Sequence, residues 1–334
     1  MEKRRKSGSA FSTTIVLVLA AVLAAGCGPG QFLGPTVTPS PTSTPIPTAT
    51  STPTPTPTPL PTPTGGGSQI VFVSNRDDNW EVYSMESDGS NPVRMTVSPG
   101  TQEYFPEMSP DGELLLYWSV PNNWEDINDV ALYWMKADGS SDAFANAVLP
   151  YTSFAPDGET VALTIVTGTD MDIATVPTVG GKGVQLTDTA GNDYDPAWSP
   201  DGKTIAFVSE RDGQPQIYLM NADGSDQRPL MDNDYGTTEP AWSPDGKYLA
   251  FTALETESLS NIRVVEADGS NPQDISGQTK GYNENPEWSP DGTMLAFWSD
   301  RTGNHEIFVI RLDGTGLKNI TNDPGEDENP IWAE

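Results

Sequence analysis

PAWSPDGKTIAFVSERDGQPQIYLMNADGS, Pro196–Ser225, is one copy of a sentence that the chain repeats six times between Gln69 and Glu334. Its opening phrase recurs as FPEMSPDG from Phe105, YTSFAPDG from Tyr151, DPAWSPDG from Asp195, EPAWSPDG from Glu239 and NPEWSPDG from Asn285, then breaks off as NPIWAE from Asn329. The series Met108, Phe154, Trp198, Trp242, Trp288, Trp332 therefore advances by about 44 to 46 residues per step, the size of one blade of a β-propeller. A second turn phrase closes most units, as SDGS from Ser87, ADGS from Ala137, Ala222 and Ala267, and LDGT from Leu312; the third unit, with PTVGG at Pro177, is degenerate.

Within the quoted unit four strands are predicted, over Ala197–Ser199, Thr204–Ser209, Gln216–Asn221 and Gln227–Met231. In the SPDG turn Pro200 presets φ, Asp201 tolerates the second central position, and Gly202 takes the left-handed conformation that closes a three-residue hairpin. The ADGS phrase uses Gly224 in the same way. TIAFVS and QIYLMN are apolar on successive residues, as a sheet needs when both of its faces are covered by neighbouring sheets. The Trp of each opening phrase is expected to fill space between blades, the sharper alternative being a ring that stacks on a ligand. Arg76, Arg211 and Arg301 recur at one hairpin and are expected to tie strands together by hydrogen bonds. The repeat opens at Gln69 on a second strand, IVFVS, and ends at Trp332 on a first strand. The two fragments complete one blade, which removes the exposed sheet edges of an open ring. The expected fold is all-β: a six-bladed β-propeller of four-stranded antiparallel blades, closed by the C-terminal strand joining the N-terminal blade.

SPDG followed by IAFVSxRDGxxxIYxMNADGS resembles the WD-like repeat of TolB-type β-propellers over Gln69 to Glu334. That resemblance implies a non-catalytic interaction platform. It departs from TolB ahead of the propeller, where a second α/β domain would stand and this chain has a Pro/Thr-rich segment instead.

Lys3, Arg4, Arg5 and Lys6 precede an apolar run from Ile15 to Ala25 that is short for a membrane span, the pattern of an export signal. LAAGC, Leu23–Cys27, resembles a bacterial lipobox with Ala24 where a larger aliphatic is commoner; the alternative is an uncleaved anchor helix with an incidental Cys. Residues 1–26 are thus read as a lipoprotein signal peptide, and Cys27, the single cysteine, as the lipidation site. The lipid changes the expected state from soluble to anchored, outside the cytoplasmic membrane in the bacterial cell envelope. With Cys27 modified no thiol is left for disulfides or thiolate chemistry. Residues 27–68 form the lipidated Cys and a Pro/Thr-rich disordered stalk, and residues 69–334 the propeller. Pro29–Thr64 has no apolar period and as polyproline II would reach roughly 100 Å at about 3.1 Å per residue. The formal net charge is −30, from 17 Lys and Arg against 47 Asp and Glu, which argues against nucleic acid and against docking on an anionic membrane except through the lipid.

In a four-stranded meander the first and third turns lie on one face, here the uniform SPDG and ADGS set. The second hairpin and the crossovers lie on the other, where the copies differ, and variable loops on a rigid scaffold are the usual place for binding. That face carries Glu103, Tyr104, Asp193, Tyr194, Asp195, Asp234, Tyr235, Glu239, Tyr282, Glu284, Glu326, Asp327 and Glu328 on the crossovers and Trp124 on the long hairpin Val120–Asp129. Acids and aromatics together are expected to crowd the channel mouth and to take a protein or peptide partner, cationic in character. A glycan- or Ca²⁺-binding surface is the alternative, although DNDYG and NDPGEDEN lack the fixed spacing of a calcium loop. A carboxylate-based glycan-active enzyme is third, since two acids suffice for glycoside hydrolysis. Against catalysis stand a single His, His305, and the lack of a GxSxG elbow, a P-loop or GxGxxG. The expected species is a monomer.

Overall fold

The computed structural model describes residues 69–123, 130–140, 143–146, 151–178, 181–277 and 281–333. The signal peptide, Cys27, the stalk and Trp124 lie outside the described residues.

The described strands form six four-stranded sheets in which each unit is an antiparallel meander. β1 (Gln69–Ser74), β2 (Glu81–Glu86) and β3 (Val93–Arg94) open the ring. Blade 2 is β4 (Thr101–Met108), β5 (Leu114–Pro121), β6 (Ala131–Lys136) and β7 (Ala143–Asn146); blade 3 is β8 (Thr152–Phe154), β9 (Thr160–Thr167), β10 (Asp170–Pro177) and β11 (Val184–Gln185). Blade 4 holds β12 (Asp193–Trp198), β13 (Thr204–Ser209), β14 (Gln216–Asn221) and β15 (Arg228–Pro229); blade 5 holds β16 (Gly236–Trp242), β17 (Tyr248–Thr256), β18 (Leu259–Glu266) and β19 (Gln273–Asp274). Blade 6 is β20 (Asn283–Trp288), β21 (Met294–Ser299), β22 (Glu306–Arg311) and β23 (Lys318–Asn319). The last strand, β24 (Asp327–Ala333), pairs antiparallel with β1, Gln69 opposite Ala333 and Ser74 opposite Asp327, and so supplies the inner strand of blade 1.

Second and third strands are buried on both faces, as in TIAFVS and QIYLMN, because each sheet is sandwiched between two others. Phe72, Phe207, Phe251 and Phe297, one from each of four repeats, are fully buried. The repeat Trp does fill the space between blades. Trp242 Nε1 donates to Ala197 O of the preceding blade at 3.2 Å, and Trp288 Nε1 to Ala241 O at 3.0 Å.

The SPDG phrase is spent on its own turn. Gly202 N–H donates to Ser199 O at 2.9 Å, Ser199 Oγ donates to Asp201 Oδ1 at 2.8 Å, and Gly202 has φ of 68°. The loop between paired Ser199 and Thr204 is longer than the three residues expected from sequence, because Lys203 also lies outside the ladder. The inner strand starts at Asp193, ahead of the predicted Ala197, and the fourth strand is only Arg228–Pro229.

Candidate functional site: the lined channel and the crossover face

Five of the six inner strands carry a bulge at the same place, and the bulged residue has positive φ: Phe105 (49°), Asp195 (56°), Glu239 (56°), Asn285 (53°) and Asn329 (50°); Tyr151 (74°), just ahead of β8, has the same conformation with no register shift. Register shifts in β4, β12, β16, β20 and β24 mark the same positions. In five of the six the next residue is Pro, which cannot join a ladder. Positive φ is uncommon for a residue with a Cβ, and a bulge re-aims a side chain; here five bulges and Tyr151 line one ring around the axis.

That ring has two halves. On one side Glu239 N–H donates to Asp195 Oδ2 at 2.9 Å, Asn285 N–H to Glu239 Oε2 at 2.8 Å, and Asn329 Nδ2 to Asn285 Oδ1 at 3.1 Å, so each blade is latched to the next. On the other side Phe105 packs on Tyr151 with ring centroids 5.1 Å apart, and Tyr151 on Tyr194 at 6.1 Å. Trp298 Nε1 donates to Asn285 Oδ1 at 2.7 Å, whereas Trp118, its counterpart in blade 2, faces Phe105 and its Nε1 has no acceptor.

The channel acids sit above the usual carboxylate range. Burial raises Asp195 well above it, with the charge of Glu239 adding to the effect. Burial likewise raises Glu239, against hydrogen bonds from Thr252 and Asn285, and raises Glu284 well up with help from Glu239. Two residues deeper along the inner strands, Glu107 and Glu287 are pushed by burial to about 8, Glu107 also feeling the charge of Glu287. His305 accompanies them. Its ring stacks on Trp298 at 4.3 Å and its Nδ1 lies 2.6 Å from Glu328 Oε1. Burial pulls the imidazole down, but the bond to Glu328 together with the charges of Glu328, Glu326 and Asp300 outweighs it and the net shift is upward. Among the described residues, no Lys or Arg pairs with Asp195, Glu239, Glu284 or Glu328.

The structure divides the site residues read from sequence into separate groups. Asp195, Glu239, Glu284 and Glu328 come together in the channel, with Tyr104 and Tyr194 buried in its wall. Asp193 and Asp327, both fully buried, are held instead by the hairpin arginines. Arg211 Nη2 reaches Asp193 Oδ2 at 3.1 Å and Arg76 Nη2 reaches Asp327 Oδ1 at 2.9 Å, while each Arg Nε donates to a Ser at the end of the second strand. Burial nevertheless raises Asp327 to about 6, against the opposing charge of Arg76. Glu103 is 1% exposed and lies against β5. Exposed Asp234 and half-buried Tyr235 lie away from the axis, in a cleft of about 650 Å³ between blades 4 and 5, where Arg263 lies over the Tyr235 ring at 4.4 Å. Tyr282 donates to Glu257 O at 3.0 Å, and Glu326 accepts from His305 N–H at 2.7 Å on the rim.

Sequence reasoning missed Glu107, Glu287, the ring of positive φ and the pairing of His305 with Glu328. The one available signal was the residue before Pro in each opening phrase, which is Asp or Asn in three copies, residue types enriched at positive φ. Among the described residues, no group of three or more His, Cys, Asp or Glu is arranged to hold a metal ion.

A closed ring of six meander blades with a polar channel and variable crossovers defines a six-bladed β-propeller. The chain belongs to the TolB beta propeller domain family, whose model matches residues 140–276 and 219–334. Among solved structures it is similar to TolB from Acinetobacter baumannii, at 21% identity and a TM-score of 0.69 over 80% of this chain and 66% of that one. It thus spans slightly less than two thirds of that protein. A putative TolB from Agrobacterium tumefaciens matches at 21% identity and a TM-score of 0.60, over 80% of this chain and 99% of that one. Oligogalacturonate lyase in complex with manganese shares the fold at 15% identity and a TM-score of 0.53, over 76% of this chain and 74% of that one. No curated protein matches the chain.

Proposed function

We propose that this chain is a lipid-anchored, non-catalytic propeller of the bacterial cell envelope that binds a cationic protein or peptide where its acidic channel opens on the crossover face. The observation that carries this reading is the set Asp195, Glu239, Glu284 and Glu328, to which no Lys or Arg among the described residues is paired. Membership of the TolB propeller family supports a binding role. Clustered like charges in a low-dielectric wall disfavour their own ionisation, and a cation arriving from a partner relieves that cost while steering the encounter. The aromatic half of the ring offers such a partner apolar contact. Lipid on Cys27 and the Pro/Thr-rich stalk would hold the face away from the membrane.

The test is titration of the full chain with an Arg/Lys-rich peptide, followed by calorimetry at low and physiological salt. Saturable binding that weakens with salt and weakens at least tenfold in Glu328→Gln is expected; salt-independent binding, or none, would sink the reading. Labelling with radioactive fatty acid, lost in Cys27→Ala, tests the anchor.

A further inference from the structure

Three crossovers have the same length and align residue for residue: Leu186–Asp195 from blade 3 to 4, Leu230–Glu239 from blade 4 to 5, and Ile320–Asn329 from blade 6 to 1. The crossover from blade 4 to 5 departs from the other two. At the second position those two have Thr187 and Thr321, whose Oγ1 atoms accept from Ile173 N–H and Ile307 N–H, each at 2.9 Å. Met231 stands there between blades 4 and 5, and Ile217 N–H donates instead to Thr237 Oγ1 at 2.8 Å. At the sixth position the other two have Gly191 and Gly325, where a Cβ would lie 3.0 Å from Arg211 Cα and 2.8 Å from Arg76 Cα. Blade 5 carries Glu255 in place of that arginine, and Tyr235 occupies the glycine position.

The same junction lacks the side chains that bridge the other two. Between blades 3 and 4, Gln227 Nε2 donates to Leu186 O at 3.1 Å; between blades 6 and 1, Lys318 Nζ donates to Asp88 O at 2.9 Å. Blade 5 has Pro272, which carries no donor, at the position of Gln227, and in blade 4 Arg228, at the position of Lys318, turns back to Asp226 at 3.1 Å. What remains open is the cleft of about 650 Å³, on the outer flank of the ring where β15 ends and β19 begins. In its lining Leu230 is buried, Met231 and Tyr235 are half-buried, and Asp232, Asp234 and Asp268 are exposed. Tyr235 is fixed in place: its hydroxyl accepts from Arg263 Nη1 at 2.8 Å, its N–H donates to Asn233 Oδ1 at 3.1 Å, and its carbonyl accepts from Gln216 Nε2 at 2.8 Å. Arg263 itself is paired with Glu255 at 2.6 Å, and among the described residues no Lys or Arg pairs with Asp232, Asp234 or Asp268.

We infer that this cleft is a second docking site, for a peptide segment of a partner that places one bulky apolar side chain against Met231 and Tyr235 and lays flanking Lys or Arg residues on Asp232, Asp234 and Asp268. The volume falls within the range of about 300 to 1,000 Å³ typical of ligand pockets. A pliable thioether beside a fixed aromatic ring receives apolar side chains of various shapes, and carboxylates without a counter-charge of their own select basic flanks and speed the encounter. The cleft lies on the flank and the channel on the axis, so the inference stands apart from the function proposed above.

The test is titration of the full chain, read by NMR shifts, with the capped peptide Gly-Arg-Leu-Arg-Gly, the same peptide with Gly for Leu, and the same peptide with Glu for both Arg. The Leu/Arg peptide is expected to bind about tenfold or more tightly than either control. It should weaken about tenfold in Met231→Thr, which restores the residue of the other crossovers, and in the double variant Asp232→Asn, Asp234→Asn. No binding, equal binding of the three peptides, or undiminished binding in either variant would overturn the site; should Met231→Thr fail to fold, the exposed aspartate pair decides. Glu328→Gln is expected to leave this binding unchanged, so the cleft and the channel fail separately, and loss of the peptide in that variant would move it to the channel and overturn the cleft. Dimers in sedimentation that Met231→Thr dissolves, or tighter binding of a synthetic peptide of residues 50–64, would replace the partner by a second copy or by the chain's own Pro/Thr-rich segment and overturn the occupant.

Discussion

Replacing Glu287 by Gln keeps the shape of a deep channel carboxyl and removes its ability to ionise. Burial raises Glu287 from an ordinary value of 4.5 to about 8. A group whose folded pKa exceeds its unfolded one binds its proton more tightly when folded, so its contribution is full below about pH 4.5 and is lost as pH rises through about 8. Each pKa unit is worth about 1.4 kcal/mol, so the difference sets a ceiling of about 5 kcal/mol lost by pH 8.5. Glu287 as a residue is only half-buried, so the ceiling is discounted and about 2 kcal/mol is the working figure. The assay is urea unfolding followed by Trp fluorescence at several pH values, wild type against Glu287→Gln. The two should be equally stable near pH 5, and the variant should be more stable by about 2 kcal/mol at pH 8.5, or roughly 5 °C in Tm for a domain of this size. A difference that does not change between pH 5 and pH 8.5 would refute the assignment of Glu287 as a protonated group. Glu107, pushed to about 8 as well and sensing the charge of Glu287, should titrate at lower pH in the variant.

Removing Asn329–Glu334 takes most of the inner strand from blade 1 and exposes the edge of β1; Tm should fall sharply, and an unchanged melt would sink ring closure by β24. Arg211→Ala leaves Asp193 buried without its counter-charge, and breaking one side of a buried pair costs about 3 to 5 kcal/mol, measurable by chemical denaturation; the same change at Arg228, whose partner Asp226 is exposed, should cost well under about 1 kcal/mol. Gly269→Ala puts a Cβ at φ of 87° into the Leu230 carbonyl oxygen, and should destabilise by at least about 1 to 3 kcal/mol, whereas Gly213→Ala, at φ of 98° in open space, should show the smaller cost of conformation alone.

The fold was legible because it is written in turn chemistry and period. Gly202, Asp201 and Trp242 act within a few residues or one blade away, and a repeated local rule reads the same in every copy. The termini were legible for the same reason, since each half of blade 1 names the half it lacks. The site was legible only in composition. Asp193, Asp195 and Tyr194 are consecutive, yet one is clamped by Arg211, one lines the channel and one is buried in its wall. What separates them is the bulge at Asp195, which breaks the period-2 alternation from which the facing of side chains is inferred. Tyr235 is displaced from the mouth by Arg263, a residue of the next blade at the place where Tyr218 stands in blade 4. Such exchanges between blades have no signature in one repeat read alone.

The bulged ring also gives the channel a direction that six similar blades would otherwise lack. Phe105 and Tyr151 in blades 2 and 3 face Asp195, Glu239, Asn285 and Asn329 in the other four, so at the level of the ring apolar and polar side chains fall on opposite sides of one axis. A symmetric acidic pore would hold a cation in any orientation. On the proposed reading, a two-sided one would select a partner whose basic and apolar faces are themselves opposed, as in an amphipathic segment. Blade 2 lies on the aromatic side and keeps Glu103 as its buried acid. On the proposed reading, apolar residues against Phe105 and Tyr151 and basic residues along Glu239 and Glu328 would anchor the bound segment on both sides of the axis, which fixes its rotation about the channel as well as its presence there.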